Sequence, residues 1–470
     1  MNLSKIKNIY MIGIKGVGMT MLAQFLSCQN YEISGSDVEE KFMTDEVLAK
    51  ANIKVIEGFS ESNIPDDTDL IIYSTAYNVK NNVELAKAMS SKTKTIEYAE
   101  ALGEFFNSHD GIAVIGSHGK TTTTAWLGYI LWKSGLEPKV LVGSKVKQFD
   151  GCSLSGKSDY MVAEVDEYQN KFKYFFPKAV ILNNIDYDHP DFFPTPEDYK
   201  QVFIDFIGKI SAKGFLVINL DDPIIRKIAE VNSKAKIISY AIKESADYVA
   251  YDIKVKDGRQ YFKVKIAVED EGDGEDEREG LLGDFSIQLP GKYNISNALA
   301  VIATCIELDI PLVQIREHLG DFQGTNRRMQ VLGKFKGATI IDDYAHHPTE
   351  VKAALAGARA MHKNKKITVV FHPHTFTRTK ALFNEFANSF LDADKVIVLD
   401  IYGSAREEQG GVSSDDLAKA IKQSGQENTI HISTLKKCEE YLRENIERDE
   451  IVILMGAGDV FRIGENLIKD

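Results

Sequence analysis

The chain has 470 residues, 56 basic against 69 acidic, for a formal net charge of −13. That length exceeds one hydrophobic core and points to roughly two to four domains. The acidic balance, with no long Lys/Arg block, argues against a nucleic-acid partner while leaving room for a local phosphate pocket. No run reaches membrane-span length, and the N-terminal "MNLSKIKNIYMIGIKGVGMT" opens a strand rather than a cleavable leader. The four cysteines, Cys28, Cys152, Cys305 and Cys438, lie far apart without metal spacing. The expectation is a soluble cytoplasmic protein with reduced thiols. Nothing in the sequence fixes an oligomeric state.

Strands and helices alternate almost throughout, as a parallel sheet requires. "KNIYMIGI", "EISGSD" and "DLIIYSTA" read as strands of a first block, separated by helical "MTMLAQFLSC" and "VLAKANI". Helical "NVELAKAMSS" and "YAEALGEFF" close it. A second block starts at "GIAVIGSHGKTTTT", continues through strands "YMVAEV", "AVILNNI" and "GFLVINL", and ends at the helix "NALAVIATCIEL". It also carries a predicted hairpin, "QYFKVKIAV" with "LLGDFSIQL", whose tip "EDEGDGEDERE" holds eight acids in eleven residues. Like charges at that density read as a solvated tip rather than a metal site. The third block has strands "ATIIDDY", "KITVVFH", "KVIVLDI", "NTIHI" and "EIVILMG", with helices "KALFNEFANSFLDA" and "LKKCEEYLREN". The predicted units are 1–107, 108–322 and 323–470. All three are α/β units.

The stretch Ala113–Trp126, "AVIGSHGKTTTTAW", ends like a phosphate loop, but the usual spacing would put the first glycine at Val114. A shorter loop using Gly116 works if the strand ends one residue later. Free N–H groups at the start of the following helix favour an anion. Gly119 permits close approach, Lys120 reaches terminal phosphates, and Thr121 offers a hydroxyl to Mg²⁺. Two further strands end in acids. "MVAEVDEYQ" supplies Glu164, Asp166 and Glu167, and "VILNNIDYDHPDFF" supplies Asn184, Asp186, His189 and Asp191. Strand carboxyl ends are where ligands gather in open α/β sheets, so these acids are candidate metal ligands. In the first block, "GIKGVGM" departs from the dinucleotide pattern at Lys15, and Asp37 follows about twenty residues after the turn, where a ribose is held. The turn reads equally as a nucleotide-like site or a simple tight turn. In the third block, Asp342, Asp343, Tyr344, His346 and His347 share one strand end. His372, His374, Arg378 and Lys380 share the next, with Arg327 and Arg328 at the block's entrance.

At these residues the chain resembles the Mur ligases, ATP-dependent amide-forming enzymes of peptidoglycan precursor synthesis. The resemblance runs essentially end to end. It is strongest in "GSHGKTTTT", "PGKYNISNALA", "FQGTNRRMQVLG", "IDDYAHHPTEV", "HPHTFTRTKALF", "GGVSSDDL" and "MGAGD". It implies a Rossmann-like first and third unit and a middle unit of the phosphate-loop ATPase type. It also implies ATP and Mg²⁺ as cofactors, and UDP-N-acetylmuramate and L-alanine as substrates if the chain follows the alanine-adding branch. It further implies ATP contacts from Gly116, Ser117, His118, Gly119, Lys120, Thr121, Thr122, Asn294 and Arg327. Gly13, Gly16, Val17, Gly18, Asp37 and Ser74 are implied to face the UDP substrate. Thr121, Glu164 and His189 are implied metal ligands. Asp343, Tyr344, His346, His374 and Arg378 are implied to face the carboxylate and the incoming amino acid. Lys120, His189, Arg378, His346 and His374 are the expected catalytic set, with His346 or His374 as acceptor of the amine proton. Departures are Lys15 for glycine, Tyr293 for histidine, and "EVDEYQNKF", which leans toward the branch that attaches a recycled tripeptide. A dinucleotide-dependent dehydrogenase would explain the first block but leave Lys120, Thr121 and both acidic strand ends idle. A scaffold that binds nucleotide without turnover is the third alternative.

Overall fold

The computed structural model describes residues 5–42, 44–268, 278–403, 407 and 409–469. Three sheets follow one another along the chain. The first is five-stranded and wholly parallel, in the order Lys54–Glu57, Glu32–Asp37, Asn8–Ile12, Leu70–Tyr73, Lys94–Glu97. Ile9–Ile12 are buried, as expected of a central strand covered on both faces. The strand order reverses beside Asn8–Ile12, which places a crevice between the glycine turn after that strand and the segment after Leu70–Tyr73. Both edge strands are four residues long, too short to reveal an alternation, and the sequence pattern did not mark them.

The middle sheet has ten strands, and Asp110–Ile115 lies inside it between Ala179–Leu182 and Tyr160–Glu164. Its core is parallel and both ends are antiparallel. At one end Lys139–Val146 pairs with Gly151–Ser155. At the other, Tyr248–Lys256, Arg259–Val268 and Arg278–Ile287 form a meander that contains the predicted hairpin. The acidic tip of that hairpin, residues 269–277, lies outside the described residues. Helices Lys120–Lys133 and Lys292–Glu307 pack on one face through Trp126, Leu127, Leu299 and Ile302. The other face shares one continuous apolar core with the first unit, running from Met11 and Phe25 through Phe105 and Phe106 to Phe172 and Phe206. A Cβ at Gly103 would come within 2.6 Å of the Tyr174 carbonyl, so helix Tyr98–Asn107 sits tight against the middle unit.

The third sheet runs Gln330–Phe335, Ala338–Asp343, Ile451–Met455, Ile367–Phe371, Lys395–Val398, Thr429–His431, with only the first strand antiparallel. The single helix predicted across residues 380–393 is instead two short ones, Phe376–Ala381 and Phe383–Ala387. The Thr375 hydroxyl caps the first by accepting from Arg378, and Leu382 leaves helical geometry between them. All four cysteines are free thiols.

Candidate active site

The strand Asp110–Ile115 delivers the chain to the turn Gly116–Gly119, and helix Lys120–Lys133 starts directly after it. Gly116 (φ 129°) and Gly119 (φ 81°) both occupy backbone regions that disfavour a side chain. A Cβ at Gly119 would also lie 2.6 Å from Asn297 Oδ1. Val114 is an interior residue of the strand, so the missing first glycine is a shortened loop rather than a broken one. No side chain caps the helix, which leaves its first N–H groups for an anion.

Carboxylates face this loop from the neighbouring strand. Lys120 Nζ lies 3.1 Å from Glu167 Oε2 and donates to the carbonyls of Gly116 and Ser117. Burial opposes its charge, but Glu167 and Asp166 outweigh that and hold the amine above its ordinary range. Glu167 also accepts from the Tyr199 hydroxyl at 2.9 Å. Ligand atoms of Asp166, Glu167 and His189 all fall within 4.8 Å of one another. Burial raises the Glu164 carboxyl, although the nearby Gly143 N–H, Thr121 hydroxyl and Lys120 favour its charged form. Its Oε2 is buried without a hydrogen-bond partner. Hard oxygen donors, one unpartnered carboxylate oxygen and one imidazole suit a hard divalent cation.

Two cavities lie near this loop, one lined by the loop itself and one reached from it through Glu164 and Asp166. The larger, about 590 Å³, separates the middle and third units. Gly119, Thr121 and Thr122 form its floor, Tyr293, Asn294 and Asn297 one wall, and Arg328, Asp343 and Glu350 the other. The Asn294 amide is oriented by the Pro290 carbonyl and by Asn297. Asp343 accepts from the N–H groups of Met329 and Ala345, and burial pushes its carboxyl up to about 6. The smaller cavity, about 370 Å³, separates the first and middle units. Gly16, Val17, Gly18, Ser74 and Thr75 face Glu164, Asp166 and Lys171 across it. Glu164 and Asp166 thus border the smaller cavity, Thr121 borders the larger, and Lys120 lies among these groups.

The third unit is clasped to the middle one beside the phosphate loop. His118 bonds Glu350 through Nδ1 at 3.2 Å and Asp186 through Nε2 at 3.0 Å. Burial alone would lower its pKa, but these two acceptors raise it to about 9. Thr349 Oγ1 donates to Asp186 at 2.6 Å. The Arg378 guanidinium forks onto Asp188 at 3.0 and 3.3 Å, with both side chains buried. Burial would raise the Asp188 carboxyl, but Arg378 holds it far below the carboxylate range. His346 and His374 face this pair. Burial lowers them to about 3 and about 4, with Arg378 adding to both, so each imidazole is neutral.

Several predicted site residues lie elsewhere. Arg327 does not line the larger cavity. It bonds Asp342 and the carbonyls of Gly456, Ala457 and Gly458, with its guanidinium between the rings of Tyr344 and Phe461. Its neighbour Arg328 lines the cavity instead. Asp37 is 4 % exposed, and its carboxylate accepts from the N–H groups of Lys15 and Val38 and from the Tyr77 hydroxyl, which organises the turn rather than presenting it to a ribose. Gly13 lies beneath Tyr77 and Ser74, where a Cβ would meet ring carbon at 2.7 Å. Ser117 is tied to Asp186 and Tyr199. His118 lines the cavity, but both its nitrogens are engaged. The sequence reading did not single out Asp188, Glu350, Asn183, Asn297, Tyr199 or Lys171. Asp188 adjoins His189 in "DYDHPD", but its partner is 190 residues away, and no local pattern announces it.

A phosphate loop ringed by carboxylates, set near clefts that open onto two other α/β units, defines an enzyme that brings a nucleotide to a second substrate. The comparisons fix the class: the chain belongs to the Mur ligase family of ATP-dependent amide-forming ligases. Residues 8–110 match the Mur ligase family, catalytic domain; residues 114–305 the Mur ligase middle domain; and residues 327–458 the Mur ligase, glutamate ligase domain. A UDP-N-acetylmuramate–L-alanine ligase from Desulfitobacterium hafniense is 38% identical over 98% of this chain and 99% of its own. Among solved structures, a UDP-N-acetylmuramate-alanine ligase from Thermotoga maritima superposes with a TM-score of 0.80 at 24% identity, covering 99% of this chain and 98% of that one. A murein peptide ligase from Psychrobacter arcticus follows with a TM-score of 0.70 at 21% identity, covering 98% of each chain. Among the described residues, no helix is long and apolar enough to cross a membrane.

Proposed function

We propose that the protein joins L-alanine to UDP-N-acetylmuramate at the expense of ATP, a step of peptidoglycan precursor synthesis. Two things support this: full-length relatives that carry that name, and the acidic strand end at Glu164 and Asp166, which joins the phosphate loop of the larger cavity to the smaller one. The second is the observation that carries the mechanism. ATP occupies the larger cavity with its triphosphate on the helix start at Lys120. The nucleotide-sugar occupies the smaller one, with its diphosphate at the uncapped helix start beside Gly16 and Gly18 and its carboxylate toward Asp166. We assign residues 1–107 to the nucleotide-sugar, 108–322 to ATP and 323–470 to the amino acid.

The substrate carboxylate attacks the γ-phosphorus, ADP leaves, and an acyl phosphate forms. The amine of L-alanine then attacks the carbonyl carbon, and phosphate leaves with one former carboxylate oxygen. Negative charge crowds the first step, and Lys120, released from Glu167, meets it on the γ-phosphate. Thr121 with Glu164 would hold one Mg²⁺, and His189 with Asp166 and Glu167 a second; bound there, they would neutralise charge on the phosphates. Arg378 holds the carboxylate of the amino acid against Asp188 and the two imidazoles. An anion there offsets the field of Arg378, which raises the basicity of His346 and His374, and one of these neutral rings takes the amine proton.

Phosphate release with ATP and UDP-N-acetylmuramate tests the reading, with L-alanine, L-serine, glycine and the L-alanyl-γ-D-glutamyl-meso-diaminopimelate tripeptide offered in turn. L-Alanine should give the highest kcat/KM, and its omission should stop steady turnover. Faster turnover with the tripeptide would overturn the assignment of the acceptor.

A further inference from the structure

The smaller cavity receives an anion in the reading above, yet the side chains that border it are mostly neutral, and two, Glu164 and Asp166, are acidic. Lys171 is the one cationic side chain among the described residues lining it. Its position results from an unusual turn. After the strand Tyr160–Glu164, the short 3₁₀ stretch Tyr168–Tyr174 contains Gln169 (φ 58°) and Asn170 (φ 51°), both left-handed. Asparagine tolerates that region, but two such residues in succession are uncommon and must be held by their surroundings. Their effect is to turn the chain back so that Lys171 Nζ reaches Asp166 Oδ2 at 2.6 Å and lies 5.6 Å from the centre of the Tyr168 ring. The lysine side chain keeps about a fifth of its surface exposed, unlike the fully buried Lys15 of the first glycine turn.

Asp166 lies between two cations, with Lys120 on the phosphate-loop side and Lys171 on the cavity side. It is also one of the three residues whose ligand atoms cluster for a metal ion. Whatever draws Asp166 toward a metal ion frees the ammonium of Lys171, which then faces the cavity with donors to satisfy.

We propose that Lys171 binds an anionic oxygen of the nucleotide-sugar in this cavity, on its carboxylate or its diphosphate. The inference rests on the reading of the smaller cavity as the nucleotide-sugar site, and the test separates the two. Titration calorimetry of the full-length protein without ATP, in the presence of Mg²⁺, measures binding of UDP-N-acetylmuramate and of UDP-N-acetylglucosamine, which has the diphosphate but no carboxylate. Wild type, Lys171→Met and Lys171→Arg are compared, with melting temperature as the folding control. A charge-assisted contact predicts that Lys171→Met weakens UDP-N-acetylmuramate about tenfold or more. Lys171→Arg should recover most of that loss. A loss confined to UDP-N-acetylmuramate places the contact on the carboxylate, and an equal loss for both probes places it on the diphosphate. Unchanged affinity for both probes overturns the proposal, whatever happens to the melting temperature. Failure of the wild type to bind either probe overturns the reading of the cavity, and the proposal with it.

Discussion

The first and middle units open with the same local device and use a lysine within it in opposite ways. Each has a buried strand, a glycine turn and a helix whose N-terminus has no capping side chain. In the first, Lys15 lies inside the turn with its side chain 1 % exposed. Its ammonium is used up by the carbonyls of Val38 and Glu40, at 2.8 and 3.0 Å, and by Asp45 at 3.3 Å. In the middle unit, Lys120 is the first helical residue and points at Glu167, among carboxylates that border the cavity between the first and middle units. The first lysine fastens the segment after Glu32–Asp37, and the second is the one we propose meets the γ-phosphate. A glycine turn with a lysine therefore specifies the backbone shape, while the groups across the turn decide whether the cation is available.

This contrast can be broken by experiment. The largest effect belongs to Lys120→Ala, which should reduce kcat about a thousandfold while leaving the circular dichroism spectrum intact, although the melting temperature falls because buried Glu167 loses its cation. Near-normal turnover would make the two lysines equivalent. Arg378→Met should come next, because it leaves the buried Asp188 without its partner. A loss of about 3–5 kcal/mol in denaturant unfolding is expected, together with a larger radius of gyration as the third unit separates. Lys15→Met should cost about 1–3 kcal/mol of stability by orphaning two carbonyls, yet move the KM for the nucleotide-sugar by less than about threefold. A large KM effect with unchanged stability would make Lys15 a ligand after all.

The smallest effect is in pH dependence and concerns the clasp beside Lys120. His118 is raised from 6.5 to about 9, so the stability it contributes is fully present below about pH 6.5 and is lost as pH rises through about 9. Glu350 is lowered despite its burial by the two cations beside it, His118 and Arg328. Its contribution is therefore present above pH 4.5 and fades at lower pH. Melting temperature measured across this range should decline on the alkaline side for the wild type, and His118→Gln should remove that decline. Parallel curves for the two proteins would exclude His118 as the clasp.

The parts of this architecture visible in the sequence were those with local causes. Long apolar strands such as "AVILNN" and "EIVILMG" announced themselves, as did the glycine turns, because their spacing is set by backbone sterics. Four-residue edge strands such as Lys54–Glu57 did not, since their pairing depends on a neighbour rather than on their own pattern. The same division holds at the site. Lys120, Thr121 and Glu164 sit at strand ends and a helix start, where position alone suggests a ligand. The choice between Arg327 and Arg328 turns on which of two adjacent guanidinium groups finds the Gly456–Gly458 carbonyls, contacts about 130 residues distant. Asp188, Glu350 and Lys171 were invisible for the same reason: their partners are brought to them only by packing between units or by an irregular turn.

The central claim is that the acid brought by the first unit reacts directly with the triphosphate held by the middle one. Its most direct test uses UDP-N-acetylmuramate labelled with heavy oxygen in its carboxylate, turned over with ATP and L-alanine, followed by mass analysis of the released phosphate. Direct attack predicts one labelled oxygen transferred to each phosphate. Phosphate released without label, while the amide product still forms, would contradict it.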